Sequence, residues 1–153
     1  MLHLQKLSKM STMKKIDLKL NLNPLQVDLI DKLIYSTDPF IAVRAGWGSG
    51  KTSALVFALW TWSKLHPNKS SLLVTDTTPR YRSVLGPELE KWLVPYGWQY
   101  HQQDGKWQAP NGHIVWTRSY FRPGTRDATH NPLEGLNITS GLALIDECQT
   151  LSE

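Results

Sequence analysis

The pattern of apolar and polar positions predicts a chain that alternates helices with short buried strands. The first helix is expected to begin at Pro24, since Asn23 is a suitable N-cap and proline suits the first helical position. Its apolar stripe is Leu25, Leu29, Ile30, Leu33 and Ile34. Gln26 admits two interpretations: its side chain closes a capping box onto Asn23, or its amide reads an adenine base. The sequence leaves both open.

A glycine-rich segment lies between an apolar run at 40–43, predicted to be a strand, and a helix predicted from Lys51 to Leu65. Its spacing is that of a phosphate-binding loop. Glycines let the backbone turn its N–H groups inward, and the helix adds its positive end. Lys51 would reach the β- and γ-phosphates, and the Thr52 hydroxyl would bind Mg²⁺. The predicted nucleotide-binding residues are Ala45, Gly46, Trp47, Gly48, Ser49, Gly50, Lys51, Thr52 and Ser53.

Two further segments continue the alternation. Leu72-Leu73-Val74 is predicted to be a short buried strand, and Thr78-Pro79 to begin the next helix. Gly86-Pro87 is expected to break that helix into two, because proline lacks a backbone donor. Arg80 and Arg82 stand near the start of this helix, where a phosphate contact could form, but a solvated face is the preferred interpretation.

From Trp98 onwards the helical spacing of the apolar residues ends. Asp104-Gly105 and Asn111-Gly112 are hairpin turn signals between short runs rich in aromatic residues, at 98–103, 106–108 and 113–117. We predict an antiparallel meander inserted into a mainly parallel α/β core. The segment from Arg122 to Gly135 is predicted to be a loop.

The last predicted element is a strand that ends in two acidic residues. The segment 141–147 is an apolar strand that ends in Asp146 and Glu147. Carboxylates at the end of a buried strand lie at the sheet edge where ligands bind in open α/β folds. Asp146 is expected to hold Mg²⁺, and Glu147 to orient and deprotonate the attacking water.

Composition limits the alternatives. The 153 residues are 41% hydrophobic, which allows one domain with a real core, and the net charge of +4 permits a nucleic-acid partner without requiring one. The single cysteine, Cys148, excludes an internal disulfide and suits the cytoplasm. No metal-ligand spacing connects it to the histidines, and no apolar run reaches the length of a membrane span. Residues 1–20 are interpreted as a basic tail, and 21–153 as one partial ATPase domain.

Taken in order, these motifs resemble the N-terminal ATPase of the large terminases of tailed phages. The resemblance covers most of residues 23–150 and is carried by five features. They are Asn23-Pro24-Leu25-Gln26, the glycine-rich loop Ala45–Thr52, the Asn111-Gly112 hairpin, Leu133-Glu134-Gly135-Leu136-Asn137 and the acidic strand Leu142–Glu147. It implies a P-loop NTPase fold of three layers, an ATP- and Mg²⁺-dependent motor that moves double-stranded DNA into a procapsid, and the host-cell cytoplasm as location. A homo-oligomeric ring, a portal protein and a small terminase subunit are the implied partners.

The resemblance also implies roles for individual residues. Gln26 would contact adenine, Lys51 and Thr52 the phosphates and Mg²⁺, Asp146 the Mg²⁺, and Glu147 would be the catalytic base. This chain departs from the family at Trp47, where many terminases carry an arginine inside the loop. The candidate arginine fingers are Arg44, Arg122 and Arg126, among which the sequence does not choose.

Two other functions compete with this one. A helicase-like or repair ATPase of the same fold would share the strong motifs, and a nucleotide-binding fragment without turnover would need only the loop. The chain stops six residues after Glu147. In the family a further strand follows and lies between the loop strand and the acidic strand. We therefore expect an N-terminal piece of a longer protein, poorly stable and essentially inactive by itself.

Overall fold

The computed structural model describes residues 21–44, 46, 48–120 and 135–146. The helices are α1 Pro24–Tyr35, α2 Lys51–Leu65, α3 Thr78–Arg80 and α4 Gly86–Leu93, with a π-helical segment Tyr81–Leu85 before α4 and a 3-10 turn Val94–Tyr96 after it. The strands are β1 Ser70–Thr75, β2 Gln99–His101, β3 Lys106–Gln108, β4 Ile114–Ser119 and β5 Ala143–Ile145. No helix in this part of the chain combines the length and the apolar character that a membrane crossing needs.

The start of α1 follows the predicted pattern. The side chain of Asn23 accepts a hydrogen bond from the backbone N–H of Gln26, and the side chain of Gln26 accepts one from the backbone N–H of Asn23. This reciprocal pair is a capping box, and it satisfies two helix-end donors that would otherwise lack partners. The predicted N-cap and the predicted capping role of Gln26 are therefore both present.

The five strands form one mixed sheet in the order β2-β3-β4-β1-β5. β1 lies parallel to both β4 and β5, whereas β2, β3 and β4 form an antiparallel meander. The meander confirms the prediction made from the two glycine-containing turns. The prediction of a mainly parallel sheet is not matched. Of the four strand pairings, the two in the meander are antiparallel and the two made by β1 are parallel.

The main core covers one face of this sheet. In register, Leu73 of β1 lies beside Leu144 of β5, and Trp107 of β3 lies beside Val115 of β4, so their side chains share a face. Val56 and Leu59 of α2 pack there together with the apolar side of α4, contributed by Leu89 and Leu93. A smaller cluster, Leu29 with Ala54 and Ala58, joins α1 to α2.

Residues 40–43 do not form the predicted strand. The structure assigns no strand to them, and in the described sheet β5 pairs with β1 alone. Ile41 and Val43 instead pack, partly buried, against the cluster of α1 and α2, while Phe40 remains exposed. An apolar run shows only that a segment can be buried. A strand also needs a neighbouring backbone with which to bond.

The predicted break at Gly86-Pro87 is also wrong. The chain passes through a five-residue π-helical segment and continues directly into α4, with the N–H of Gly86 donating to the carbonyl of Tyr81. This wider turn accommodates Pro87, which cannot donate a hydrogen bond. A side chain at Gly86 would place its Cβ 3.0 Å from that carbonyl oxygen, a tight contact that glycine avoids.

A buried polar chain joins the amino ends of the parallel strands. The Nδ1 of His113 lies 2.7 Å from the carbonyl oxygen of His66, and its Nε2 lies 2.9 Å from the Ser71 hydroxyl. Ser71 in turn lies 2.8 Å from the hydroxyl of Ser140. The carbonyl can only accept, so Nδ1 carries the proton and Nε2 accepts from Ser71. Burial lowers the pKa of His113, which favours this neutral form.

Candidate nucleotide-binding site

The glycine-rich loop turns sharply into α2. Gly48 and Gly50 have φ angles of +71° and +81°, in the left-handed region that favours glycine. Gly50 is the N-cap of α2, and its carbonyl accepts the first helical bond, from Ala54, at 2.8 Å. The loop therefore leads straight to a helix N-terminus, where N–H groups and the helix dipole favour an anion.

Lys51 folds back over this loop. Its Nζ donates to the carbonyl of Gly46 at 2.8 Å, and the hydroxyl of Ser49 donates to the same carbonyl at 2.7 Å. Lys51 is the first residue of α2 and Thr52 the second. The lysine ammonium is thus held against the backbone of the turn, where a phosphate could replace the Gly46 carbonyl as its partner.

The beginning of α1 is hydrogen-bonded to the glycine-rich loop. The side-chain amide of Asn23 donates to the carbonyl of Ser49 at 3.0 Å, and that of Gln26 donates to the carbonyl of Gly50 at 3.4 Å. A Cβ on Gly50 would lie 3.0 Å from the Gln26 amide nitrogen, so the two segments are in close contact. The capping box of α1 consequently helps to set the shape of the loop.

Ser53 has a different environment from the rest of the loop. Its hydroxyl donates to a carboxylate oxygen of Glu88 in α4, and the same oxygen accepts from the indole N–H of Trp92 at 2.8 Å. This arrangement ties the start of α2 to α4. It gives Ser53 a structural partner, in addition to the nucleotide contact expected from its position in the loop.

Asp146, the other predicted Mg²⁺ ligand, lies at the carboxyl edge of the parallel strands. Asp146 directly follows β5 and is buried, and its backbone N–H donates to the carbonyl of Val74 at 2.9 Å. Asp76 directly follows β1, and one of its oxygens accepts from the N–H of Thr77 at 2.7 Å. The Nε of Arg80 lies 3.8 Å from Asp76 Oδ1 and 3.9 Å from Asp146 Oδ2. Arg80 therefore stands between two carboxylates, and the prediction of a solvated face for it is wrong.

The predicted site residues fall into four groups. The first is Gln26 with the glycine-rich loop, in which hydrogen bonds connect Gly46, Ser49, Gly50 and Lys51 to one another or to the start of α1. The second is Asp146, which lies with Asp76 and Arg80 at the sheet edge. Arg44 is exposed beside the loop. Several predicted residues lie outside the described residues: Ala45, Trp47, Arg122, Arg126 and Glu147. The hydrogen bonds and ion pairs named here do not join the loop to Asp146.

Asp76 was missed by the sequence interpretation, although a signal for it existed. It follows the buried strand Leu72-Leu73-Val74 just as Asp146 follows the later one. Parallel neighbouring strands bring their carboxyl ends to one edge, so two acids in that position are expected to meet. The pairing of Val74 with Ile145 places these two strand ends side by side.

The residues fit a nucleotide-bound Mg²⁺ better than a protein-only metal site. In the described ranges no three histidine, cysteine or acidic side chains converge as a metal-binding group. Mg²⁺ is commonly held by one or two carboxylates together with substrate phosphates, and it prefers hard oxygen ligands. The Asp146 carboxylate and the Thr52 hydroxyl are such ligands, and a cationic group, Arg80, already lies beside Asp146.

Comparison of the chain with protein-family models, with curated proteins and with solved structures found no match. The function of the chain is therefore inferred from its own residues.

Proposed function

We propose that this chain is an ATP-binding and ATP-hydrolysing domain of the P-loop NTPase class. The observation that carries the proposal is the loop itself, with Gly48 and Gly50 at positive φ, a helix that begins at Lys51, and the lysine ammonium folded over the turn. A loop of this shape presents backbone N–H groups and one fixed cation to a triphosphate.

Each residue has a defined part in this proposal. Lys51 exchanges the Gly46 carbonyl for phosphate oxygens, while the loop N–H groups hold the same phosphates. Thr52 and Asp146 hold Mg²⁺, which neutralises charge on the phosphates. Glu147 orients a water molecule against the terminal phosphate and accepts its proton.

The motor type is proposed from the sequence pattern. The loop, the hairpin at 98–119 and the acidic strand occur in the order that resembles terminase ATPases, and the meander and β5 support that order. Within this proposal the sheet belongs to a three-layer fold, and ATP turnover serves the translocation of double-stranded DNA. Arg44 is the candidate arginine finger within the described residues.

Two measurements test the enzymatic assignment. Binding of a fluorescent ATP analogue and release of phosphate are recorded for the chain and for Glu147→Gln, with and without double-stranded DNA. The amide occupies the same space but cannot take the water's proton, so the variant should bind as tightly as the wild type and release no phosphate. Measurable phosphate release that is equal in both proteins would reject Glu147 as the base, and no analogue binding by the wild type would reject the proposed function.

A further inference from the structure

A polar contact and an aromatic contact, one helical turn apart, join the start of α2 to α4. The Ser53 hydroxyl donates to Oε1 of Glu88, and four residues later in both helices the Phe57 and Trp92 rings meet edge to face, with centroids 4.9 Å apart. Residues four apart lie on one face of a helix, so each helix uses a single face for both contacts. Two contacts one turn apart fix the rotation of α2 as well as its distance from α4.

Glu88 is the centre of this contact. Its Oε1 accepts from the Ser53 hydroxyl and, at 2.8 Å, from the indole N–H of Trp92, while Oε2 lies 4.0 Å from the Lys91 ammonium. The side chain of Lys91 is 64% exposed and that of Glu88 only 23%, so the lysine adds little to the attachment. Two donors on one oxygen fix the position of the Glu88 carboxylate.

The direction of the Ser53 bond limits what this hydroxyl can do for a nucleotide. An ionised carboxylate only accepts, so the hydroxyl is the donor, and its single proton cannot at the same time be donated to a phosphate oxygen. The nucleotide contact expected of Ser53 then falls to its backbone N–H, in the first turn of α2, where such groups have no partner within the helix. The Ser53 side chain is therefore left to orient the helix.

We propose that Glu88 is a positioning residue for the nucleotide site, which acts through Ser53 to hold the first turn of α2 and thereby to place Lys51 and Thr52. This inference rests on the proposed function. Both residues directly precede Ser53 in the same turn, and the loop carbonyls before them are held by the start of α1. The site is thus fixed by α1 at the loop and by α4 at the helix. A nucleotide that draws on Lys51 is consequently felt at the Trp92 indole.

The test compares Glu88→Ala with Glu88→Gln by titration with the fluorescent ATP analogue, below the melting transition of each protein. Glutamine keeps an oxygen that accepts both bonds and removes a charge that repels phosphate, so Glu88→Gln should bind at least as tightly as the wild type. Glu88→Ala should bind roughly two- to tenfold more weakly, the change that corresponds to one hydrogen bond. Glu90→Ala is the matched control, since it removes the same charge from an exposed position of α4, and its affinity should equal that of the wild type. Binding by Glu88→Ala as tight as that by Glu88→Gln overturns the positioning role.

Ser53→Ala separates positioning from direct contact. If the hydroxyl acts through Glu88, Ser53→Ala should weaken analogue binding in the wild type and have no further effect in the Glu88→Ala background. Additive losses of affinity would show that the hydroxyl contacts the nucleotide directly, and they would overturn the proposal.

Should Glu88→Ala fail to fold, the indole N–H resonance of Trp92, identified by its loss in Trp92→Phe, is followed in the wild type. It should shift on addition of the ATP analogue, whereas that of Trp62, in the last turn of α2, should not. An unshifted Trp92 resonance in a protein that binds the analogue overturns this inference alone. A wild type that binds no analogue rejects the proposed function and this inference together.

Discussion

Asn23 and Ser49 are joined by a hydrogen bond of 3.0 Å, from the side-chain amide of the first to the backbone carbonyl of the second. Asn23 is at the same time the N-cap of α1, so one residue both starts a helix and holds the loop that precedes the next. Helix stability and loop shape are therefore coupled at this residue.

Asn23→Ala should reduce both the stability and the nucleotide affinity of the chain. Loss of an N-cap costs about 1 kcal/mol, and the Ser49 carbonyl would lose its partner as well. Asn23→Asp keeps the capping oxygen but loses the amide donor, so it should retain helix stability and still weaken binding. Melting curves and titration with a fluorescent ATP analogue measure the two effects. Equal affinity in all three proteins would show that the loop does not depend on this bond.

Gln26→Ala should lower stability by about 1 kcal/mol and leave the preference for ATP over GTP unchanged. The reason is that both ends of its amide have backbone partners: its oxygen accepts from Asn23, and its nitrogen donates to Gly50 at 3.4 Å. Thermal melting together with ATP/GTP competition decides the matter. Erosion of the ATP preference would instead support adenine recognition, the role implied by the resemblance to terminases.

The structure also shows which features of the fold can be predicted from local sequence signals. The helix predicted from Lys51 to Leu65 has those bounds, and the cap at Asn23 and the meander were likewise predicted correctly. These features depend on residues close together in sequence: a capping side chain, a helical period, a glycine at a tight turn.

Features that depend on distant partners could not be predicted in the same way. Residues 40–43 carry the composition of a strand, but pairing requires another backbone, and their apolar side chains pack on α1 and α2 instead. Gly86-Pro87 carries a helix-breaking signal, but burial of Leu85 and Leu89 on the sheet side keeps the chain helical through a π turn. Arg80 was interpreted as solvated because its partner Asp146 comes from a strand far along the chain.

Gly86→Ala tests the close approach in the π-helical segment. Alanine is the better helix former by about 1 kcal/mol, but its Cβ would meet the Tyr81 carbonyl oxygen at 3.0 Å. The crowding should dominate and destabilise the protein by about 1–3 kcal/mol in denaturant titration. Glu90→Ala, at an exposed position of α4, is the control and should change stability by less than about 0.5 kcal/mol. A stabilised Gly86→Ala protein would contradict this account of the turn.

The free energy of unfolding should decrease as the pH is lowered, because His113 is buried in its neutral form. Its folded-state pKa is lowered by burial, so below the ordinary histidine value of about 6.5 the unfolded chain binds more protons than the folded one. Stability is therefore complete above about pH 6.5, decreases as the pH falls from there towards the lowered pKa, and is constant in this contribution below it. A proton on Nε2 would also remove the acceptor that Ser71 uses.

Denaturant titrations between pH 8 and pH 5 measure this dependence. His113→Asn should be less stable at pH 8, since the buried chain of hydrogen bonds is shortened, and its stability should vary less with pH. His101→Gln, in β2, provides the comparison with a histidine for which no such role is inferred. An equal pH slope in His113→Asn and the wild type would exclude His113 as the source.

The phosphate-binding role of the loop is tested by the affinity for a fluorescent ATP analogue of the Lys51→Ala and Lys64→Ala variants. Lys51 lies over the glycine-rich turn at the start of α2, whereas Lys64 lies exposed near the end of the same helix, so the two variants remove the same charge. A charge-assisted hydrogen bond contributes about 1.5–3 kcal/mol, so Lys51→Ala should weaken binding roughly tenfold to hundredfold. Lys64→Ala should bind as the wild type does. Equal affinities for all three proteins would contradict the assignment of the loop as a phosphate-binding site.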